Sequence, residues 1–149
     1  MNILQNIEKL KRKNKIIGFT ASTFDLMHPG HIAMLAEAKS KCDYLVVGLL
    51  TDPTISRPDS KQKPIQTIFE RFIQSQALDS IDCVIPFETE EDLEQLLLLI
   101  MPDVRFVGEE YKDKEHTGKY IKGIKIIYNK RRHNFSSTEI RNRLINKYV

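Results

Sequence analysis

The sequence is poor in the residues and segments that mark several large classes of protein. Its 149 residues include no tryptophan and only two cysteines, and no CxxC pair is present. The longest apolar run, Leu96–Met101, is far shorter than the roughly 20 residues of a membrane-spanning helix. The N-terminus also lacks the basic and then apolar segments of a secretory signal. These absences predict a cytoplasmic protein without a membrane span, whose two thiols stay reduced.

The net charge is small, and its distribution is more informative than its size. Lys and Arg number 23 against 20 Asp and Glu, which leaves a formal charge of +3. Basic residues are concentrated at Lys9–Lys15, at Lys61 and Lys63, and at Lys130–His133. Local basic clusters in a nearly balanced chain suit a small polyanion better than a nucleic acid. We therefore expect no nucleic-acid partner, although an RNA patch at Lys130–His133 is the alternative interpretation.

Apolar periodicity alternates between the strand and helix types along the chain. Compact apolar runs typical of buried strands lie at 15–22, 43–50, 82–86, 103–107 and 123–128. Helical spacing occurs at 2–13, 32–39, 65–78, 89–100, 138–146 and, weakly, at 114–122. Within 65–78 the predicted apolar face consists of Ile65, Ile68, Phe69, Phe72, Ile73 and Ala77, and Pro86 is expected to end the third strand. This alternation predicts an α/β fold, a single doubly wound, Rossmann-like domain with a five-stranded parallel sheet and helices on both faces. Residues 1–14 are expected to form an amphipathic helical extension, and residues 15–149 the doubly wound domain itself.

The segment between the first strand and the next helix carries the clearest chemical pattern. His28 and His31 bracket Pro29 and Gly30 where that helix begins. Glycine permits close backbone approach, and the free N–H groups of a helix start favour an anion. Imidazoles there can donate hydrogen bonds to phosphate oxygens. Two other interpretations stay open: a zinc site, which needs a third ligand, and a structural role in which one histidine caps the turn and the other packs.

The segment Ser22–His31 resembles the signature of the HxGH nucleotidyltransferases, in their cytidylyltransferase branch. It is most similar to the pattern G-T-F-D-x-x-H-x-G-H of glycerol-3-phosphate cytidylyltransferases. The resemblance extends over about residues 16–145, and a second signature is resembled by Arg131–Ile140. It implies catalytic roles for His28, His31, Lys61, Lys63 and Arg131. It implies nucleotide binding by Thr20, Ser22, Thr23, Phe24, Asp25, Gly30, Arg71, Gly108, Glu109, Glu110, Ser136, Ser137 and Thr138.

Three departures from the family pattern affect what the resemblance implies. Ser22 replaces the glycine before Thr-Phe-Asp, and Glu110-Tyr111 stands where the family has Asp-Trp. Asp79 occupies a helix-end position at which the glycerol-phosphate enzymes carry a basic residue. This last departure concerns the acceptor substrate more than the reaction.

The reaction implied by the resemblance is transfer of CMP from CTP to a small phosphorylated alcohol similar to glycerol 3-phosphate, with release of pyrophosphate. Mg²⁺ bridging the triphosphate is the expected cofactor, and no metal site built by the protein is expected. The resemblance also implies a homodimer. Two alternatives remain: an adenylyltransferase that uses ATP and a sugar phosphate, and a non-catalytic module that binds nucleotide or RNA.

Overall fold

The computed structural model describes residues 1–148 and contains a five-stranded, all-parallel sheet in the order β3-β2-β1-β4-β5. Its strands are β1 (Ile17–Ser22), β2 (Tyr44–Leu50), β3 (Cys83–Phe87), β4 (Val104–Gly108) and β5 (Lys125–Asn129). Its α-helices are α1 (Ile3–Arg12), α2 (Pro29–Lys39), α3 (Ile68–Gln76), α4 (Glu90–Ile100) and α5 (Ser137–Tyr148). This is the doubly wound α/β domain that the alternating pattern predicts.

Two apolar clusters cover the two faces of the sheet. Phe106 and Val47 pack on one face with Leu35 of α2. Phe19 and Leu97 belong to the cluster on the other face, with Ile7 of α1. Because successive side chains of a strand point to opposite faces, a strand buried on both faces must be apolar throughout, as β2 nearly is.

The strand order reverses between β1 and β4, and the two strands separate there. The β1–β2 ladder pairs six residues, from Ile17 to Ser22, whereas the β1–β4 ladder pairs only Gly18 and Phe19 with their partners. Beyond this point Thr20 Oγ1 still donates to the carbonyl of Phe106, at 3.2 Å. The widening crevice at the carboxyl ends is where doubly wound sheets bind their ligands.

The N-terminal helix packs against the sheet through Ile7, which is 2% exposed. Lys11 Nζ donates to the carbonyls of Ile100 and Met101, at 2.7 and 2.6 Å, and so ties α1 to the end of α4. The division of the chain into an extension and a domain stays a prediction. No helix within residues 1–148 combines the length and the apolar character that a membrane crossing requires.

Helix α3 is shorter than predicted and buries only part of the expected face: Ile68 and Phe72 pack against the core. Thr67 caps it, and Ile65, expected on its apolar side, lies before it and is 59% exposed. Phe69 and Ile73 also face solvent, at 69% and 50% exposure, whereas Arg71 is buried. The periodicity was misleading because the buried carbonyls around Arg71 select the face that turns inward.

Two smaller expectations are wrong. The weak helix predicted at 114–122 is a series of turns. Pro86 was expected to end the third strand, but it lies within β3 and pairs in register with Leu49. β3 is an edge strand, and an edge position can dispense with the backbone N–H that proline lacks.

Candidate functional site: a polar cavity at the switch point of the sheet

The two motif histidines stack at the start of α2, with ring centroids 3.8 Å apart. His28 caps the helix because its Nδ1 accepts the N–H of Gly30 at 3.0 Å. His31 Nδ1 accepts the N–H of His28 at 3.3 Å. A ring nitrogen that accepts carries no proton, so in both neutral rings the proton sits on Nε2. The pair can therefore present two N–H donors, and the capping role is compatible with ligand binding.

The surroundings of both imidazoles favour their neutral form. Burial lowers the pKa of His28, and the charges of His133 and Arg131 lower it further. Burial, followed by the charge of His28, lowers the pKa of His31 to about 4. The two rings thus offer hydrogen bonds to a phosphate, while positive charge comes from lysine and arginine side chains.

Gly30 is required by the packing of the rings around it. A Cβ added there would lie 2.8 Å from Cε1 of His28 and would also clash with the ring of His133. No real Cβ approaches a neighbour so closely, so a side chain at this position would displace the rings of His28 and His133. The absence of a side chain at this position lets three imidazoles gather at one helix start.

These histidines line a cavity of about 690 Å³ beyond the carboxyl ends of β1 and β4. Twelve of the residues implied by the family resemblance line it. They are Thr20, Ser22, Thr23, His28, Gly30, His31, Lys61, Gly108, Glu110, Arg131, Ser136 and Ser137. The segment 51–67, which connects β2 to α3, is called the flap here. The structure therefore brings both signatures and Lys61 of the flap to the same opening.

The remaining six implied residues do not line the cavity. Lys63 and Thr138 are exposed, and Glu109 Oε1 accepts the N–H of Arg131 at 3.0 Å. Phe24 is fully buried, with its ring edge-on to His31 at 5.3 Å. Asp25 and Arg71 are buried polar residues that hold neighbouring segments in place.

Asp25 joins three segments that surround the cavity. Its carboxylate accepts the N–H groups of Ile65 and Gln66, both at 2.9 Å, and the guanidinium of Arg141 at 2.7 Å. Its carbonyl accepts the hydroxyl of Ser137 at 2.8 Å. Burial alone would raise the pKa of Asp25, but these hydrogen bonds and the charge of Arg141 lower it below its usual value. The motif acid thus connects the signature turn with the flap and with α5.

Arg71 is buried beneath the same region, with 1% of its surface exposed. Its guanidinium donates to the carbonyls of Thr23 and Leu50, at 2.8 and 2.7 Å, and of Thr51 and Gln66, at 2.6 and 3.1 Å. An arginine that satisfies four backbone carbonyls fixes the ends of β1 and β2 relative to the flap. It is not placed to contact a phosphate in the cavity.

Sequence reasoning missed several polar residues that line the cavity. Arg57 comes from the flap, and its Nη1 donates to the hydroxyl of Tyr111 at 3.4 Å. His116 Nε2 lies 3.0 Å from the hydroxyl of Tyr128. Arg105 is a charged residue inside the buried strand β4, and that incongruity in the sequence was the available signal. Further polar and aromatic lining residues that were not singled out individually include Glu90, Thr117, Asn129, Lys130, His133 and Phe135.

The chain has relatives among known proteins. The chain is 33% identical over 112 residues to the bifunctional protein HldE of Granulibacter bethesdensis, and 37% identical over 105 residues to that of Paramagnetospirillum magneticum. These matches cover 75% and 70% of this chain but only 23% and 21% of the relatives, so the chain spans about a fifth of their length.

A likeness to a solved structure supports the fold. The pantoate-β-alanine ligase of Francisella tularensis, solved with β-γ ATP and β-alanine, matches with a TM-score of 0.60 at 17% identity. That match covers 99% of this chain and 76% of the ligase chain. The family model described as cytidylyltransferase-like matches residues 19–143, which include both signatures and the strands that carry them. The chain belongs to the cytidylyltransferase-like family, within the HxGH nucleotidyltransferase superfamily.

Proposed function

We propose that this chain transfers AMP from ATP to the phosphate of a sugar phosphate and releases pyrophosphate. The observation that carries the proposal is the convergence of two neutral imidazole donors, the start of α2, Lys61 and Arg131 on one cavity. Donors of this kind neutralise the crowded negative charge of a triphosphate and hold it in a fixed position.

The proposed reaction needs no protein nucleophile. An oxygen of the acceptor phosphate forms a bond to the α-phosphorus, the bond from that phosphorus to the bridging oxygen of the β-phosphate breaks, and pyrophosphate leaves with the electron pair. The Nε2–H groups of His28 and His31 donate to the phosphoryl oxygens as charge develops there. Lys61, Arg131 and the positive end of the α2 dipole hold the departing phosphates.

The choice of ATP and a sugar phosphate over CTP and a glycerol 3-phosphate-like alcohol rests on three observations. The relatives at 33% and 37% identity are HldE proteins, and this similarity favours ATP and a sugar phosphate over glycerol-3-phosphate cytidylyl transfer. Asp79 replaces the basic residue of the glycerol-phosphate enzymes, and it is exposed in the structure. The cavity, at about 690 Å³, has room for a sugar phosphate beside the nucleotide.

Mg²⁺ is proposed to enter with the triphosphate. No three His, Cys, Asp or Glu side chains in the described part of the chain converge as metal ligands. Mg²⁺ that is bound to a nucleotide takes most of its ligands from phosphate oxygens and water, and therefore needs few ligands from the protein. The homodimer that the family resemblance implies stays a prediction.

The experiment is a pyrophosphate-release assay with each of the four nucleoside triphosphates against aldose 1-phosphates and glycerol 3-phosphate. We expect release with ATP and an aldose phosphate. His28→Ala and His31→Ala should each lower turnover on the order of 10²–10³-fold, the usual loss for one transition-state donor. Lys61→Ala should also reduce turnover, whereas Lys122→Ala, which removes an exposed lysine outside the cavity, should not.

Three results would contradict parts of this proposal. A strict CTP requirement would restore the cytidylyl alternative. Full activity in both histidine variants would remove their role. Silence with every pair, together with nucleotide binding, would favour a non-catalytic module; RNA binding through Lys130–His133 would show a steep salt dependence and no response to His28→Ala.

A further inference from the structure

The cavity reaches over the carboxyl edge of the sheet to the face opposite α2. Phe106 packs in the cluster that contains Leu35 of α2, so its neighbour Arg105 points to the other face, where α4 packs. We call this part of the cavity the acceptor arm. It is lined by Leu50, Phe87, Glu90, Leu93, Arg105 and Thr117.

Arg105 lies in this arm with most of its hydrogen-bonding capacity unused. It is 6% exposed, and its Nη1 donates to the carbonyl of Thr117. Its Nε is buried and has no hydrogen-bond partner within residues 1–148. Burying a charged guanidinium with unmet donors is costly, and such a group calls for a ligand or another explanation. Arg105 lines the cavity, so a ligand there can reach it.

Glu90 and Thr117 place acceptors beside these donors. Thr117 Oγ1 donates to Glu90 Oε2 at 2.5 Å, and Glu90 is close enough to Arg105 for its charge to oppose the lowering of the Arg105 pKa by burial. One positive and one negative side chain leave the arm close to neutral. A second phosphate or a carboxylate on the ligand would meet the charge of Glu90, because ionised oxygens can only accept hydrogen bonds.

Hydroxyl groups fit this mixture because each both donates and accepts. The carboxylate of Glu90 can accept from one hydroxyl while Arg105 donates to another. Leu50, Phe87 and Leu93 are buried apolar residues that supply a surface for the C–H face of a ring. Apolar walls with a few convergent polar groups are the common composition of small-molecule sites.

We propose that Arg105, Glu90 and Thr117 bind the hydroxyl groups of the acceptor sugar, while its phosphate extends to His28 and His31. This inference rests on the proposed function and deepens it, because it assigns specificity for a polyhydroxylated acceptor to three residues. A glycerol phosphate is too short to fill the arm and to present a ring to its apolar wall.

The test measures acceptor binding separately from turnover. Isothermal titration of aldose 1-phosphates into the full chain, with glycerol 3-phosphate and inorganic phosphate for comparison, identifies the sugar phosphate that binds most tightly. Arg105→Met and Thr117→Val should each weaken its binding on the order of ten-fold, the effect of losing a buried hydrogen bond. Glu90→Gln should do the same, whereas Glu91→Gln, the matched change at an exposed neighbour in α4, should not. Glycerol 3-phosphate binding and the KM for ATP should change less than two-fold.

The outcomes separate this inference from the proposed function. Equal losses for sugar phosphate and glycerol 3-phosphate, or a rise in the KM for ATP instead, would overturn the inference and leave the transferase proposal intact. Aldose phosphates that bind no more tightly than inorganic phosphate would also overturn it. A third outcome is that the three variants weaken sugar-phosphate binding but no pair of substrates releases pyrophosphate. This outcome would support the assignment of the acceptor arm and reject the transferase proposal. Thermal unfolding verifies that each variant is folded, and Thr117→Val carries the test if Arg105→Met unfolds.

Discussion

The buried imidazole of His31 makes the nucleotide-free protein sensitive to mild acid. Burial, with the charge of His28, lowers the His31 pKa to about 4, whereas an exposed histidine of the unfolded chain titrates near 6.5. Between these values the unfolded state binds more protons than the folded state. The contribution of His31 to stability is therefore complete above about pH 6.5 and is lost as the pH falls toward 4.

The two pKa values give the size of the effect. Between pH 7 and pH 5 they lower the free energy of unfolding by about 2 kcal/mol for His31 alone. The change to test is His31→Asn, because the asparagine Oδ1 can still accept the N–H of His28 but the side chain does not titrate. His116, whose pKa is also lowered by burial, adds the same slope to both proteins and cancels in the comparison. His28 is coupled to His31, and removal of the His31 charge eases protonation of His28 in the variant, which enlarges the expected difference.

Urea unfolding at pH 7 and pH 5 measures the effect directly. The wild type should lose about 2 kcal/mol more stability than His31→Asn over this interval. Equal losses in the two proteins would show that His31 takes up a proton in the folded state without resistance. That result would refute both its low pKa and the argument that it acts as a neutral donor.

Two further predictions concern residues that build the cavity. Asp25→Asn should lower the free energy of unfolding by about 3–5 kcal/mol at pH 7, because it leaves Arg141 unpaired and turns an N–H₂ group toward donor amides. The loss is measured by urea unfolding, and wild-type stability would show that the carboxylate links are unimportant. Gly30→Ala should leave the helix content unchanged by circular dichroism but lower pyrophosphate release on the order of 100-fold, because the methyl group displaces the ring of His28. Unchanged turnover would show that the rings have room to move.

Much of the fold was predictable because its strands are buried on both faces. A run such as Asp43–Leu50 has few polar residues to place in solvent, so its structure follows from its composition. The buried face of α3 was not predictable in this way. Counting apolar residues placed Phe69 inward, whereas the carbonyls of Leu50 and Thr51 draw Arg71 inward instead. Those acceptors lie at the end of β2, so the spacing of apolar residues within α3 does not reveal them.

Part of the candidate site was likewise predictable from the sequence, and part was not. The residues around His28 and His31 lie within one short segment, and the chemistry of a helix start is visible in that segment alone. Arg105, Glu90 and Thr117 come from β4, α4 and a connecting turn, and only folding brings them together. A charged residue within an apolar strand was the signal at Arg105, but its partners were not predictable without the structure.

The contrast between the signature region and the acceptor arm determines which properties a signature motif can reveal. Asp25 belongs to the first signature and Arg71 is also implied by the family resemblance, yet the structure uses both to hold the signature turn, the flap and α5 together. A pattern that preserves such links preserves the shape of the triphosphate end of the cavity, and with it the type of reaction. The acceptor arm has no part in those links, because its polar groups bond among themselves. If the proposed assignment of the acceptor arm holds, its residues can change while the motif stays intact. The motif then indicates nucleotidyl transfer, and the acceptor depends on Arg105 and its neighbours.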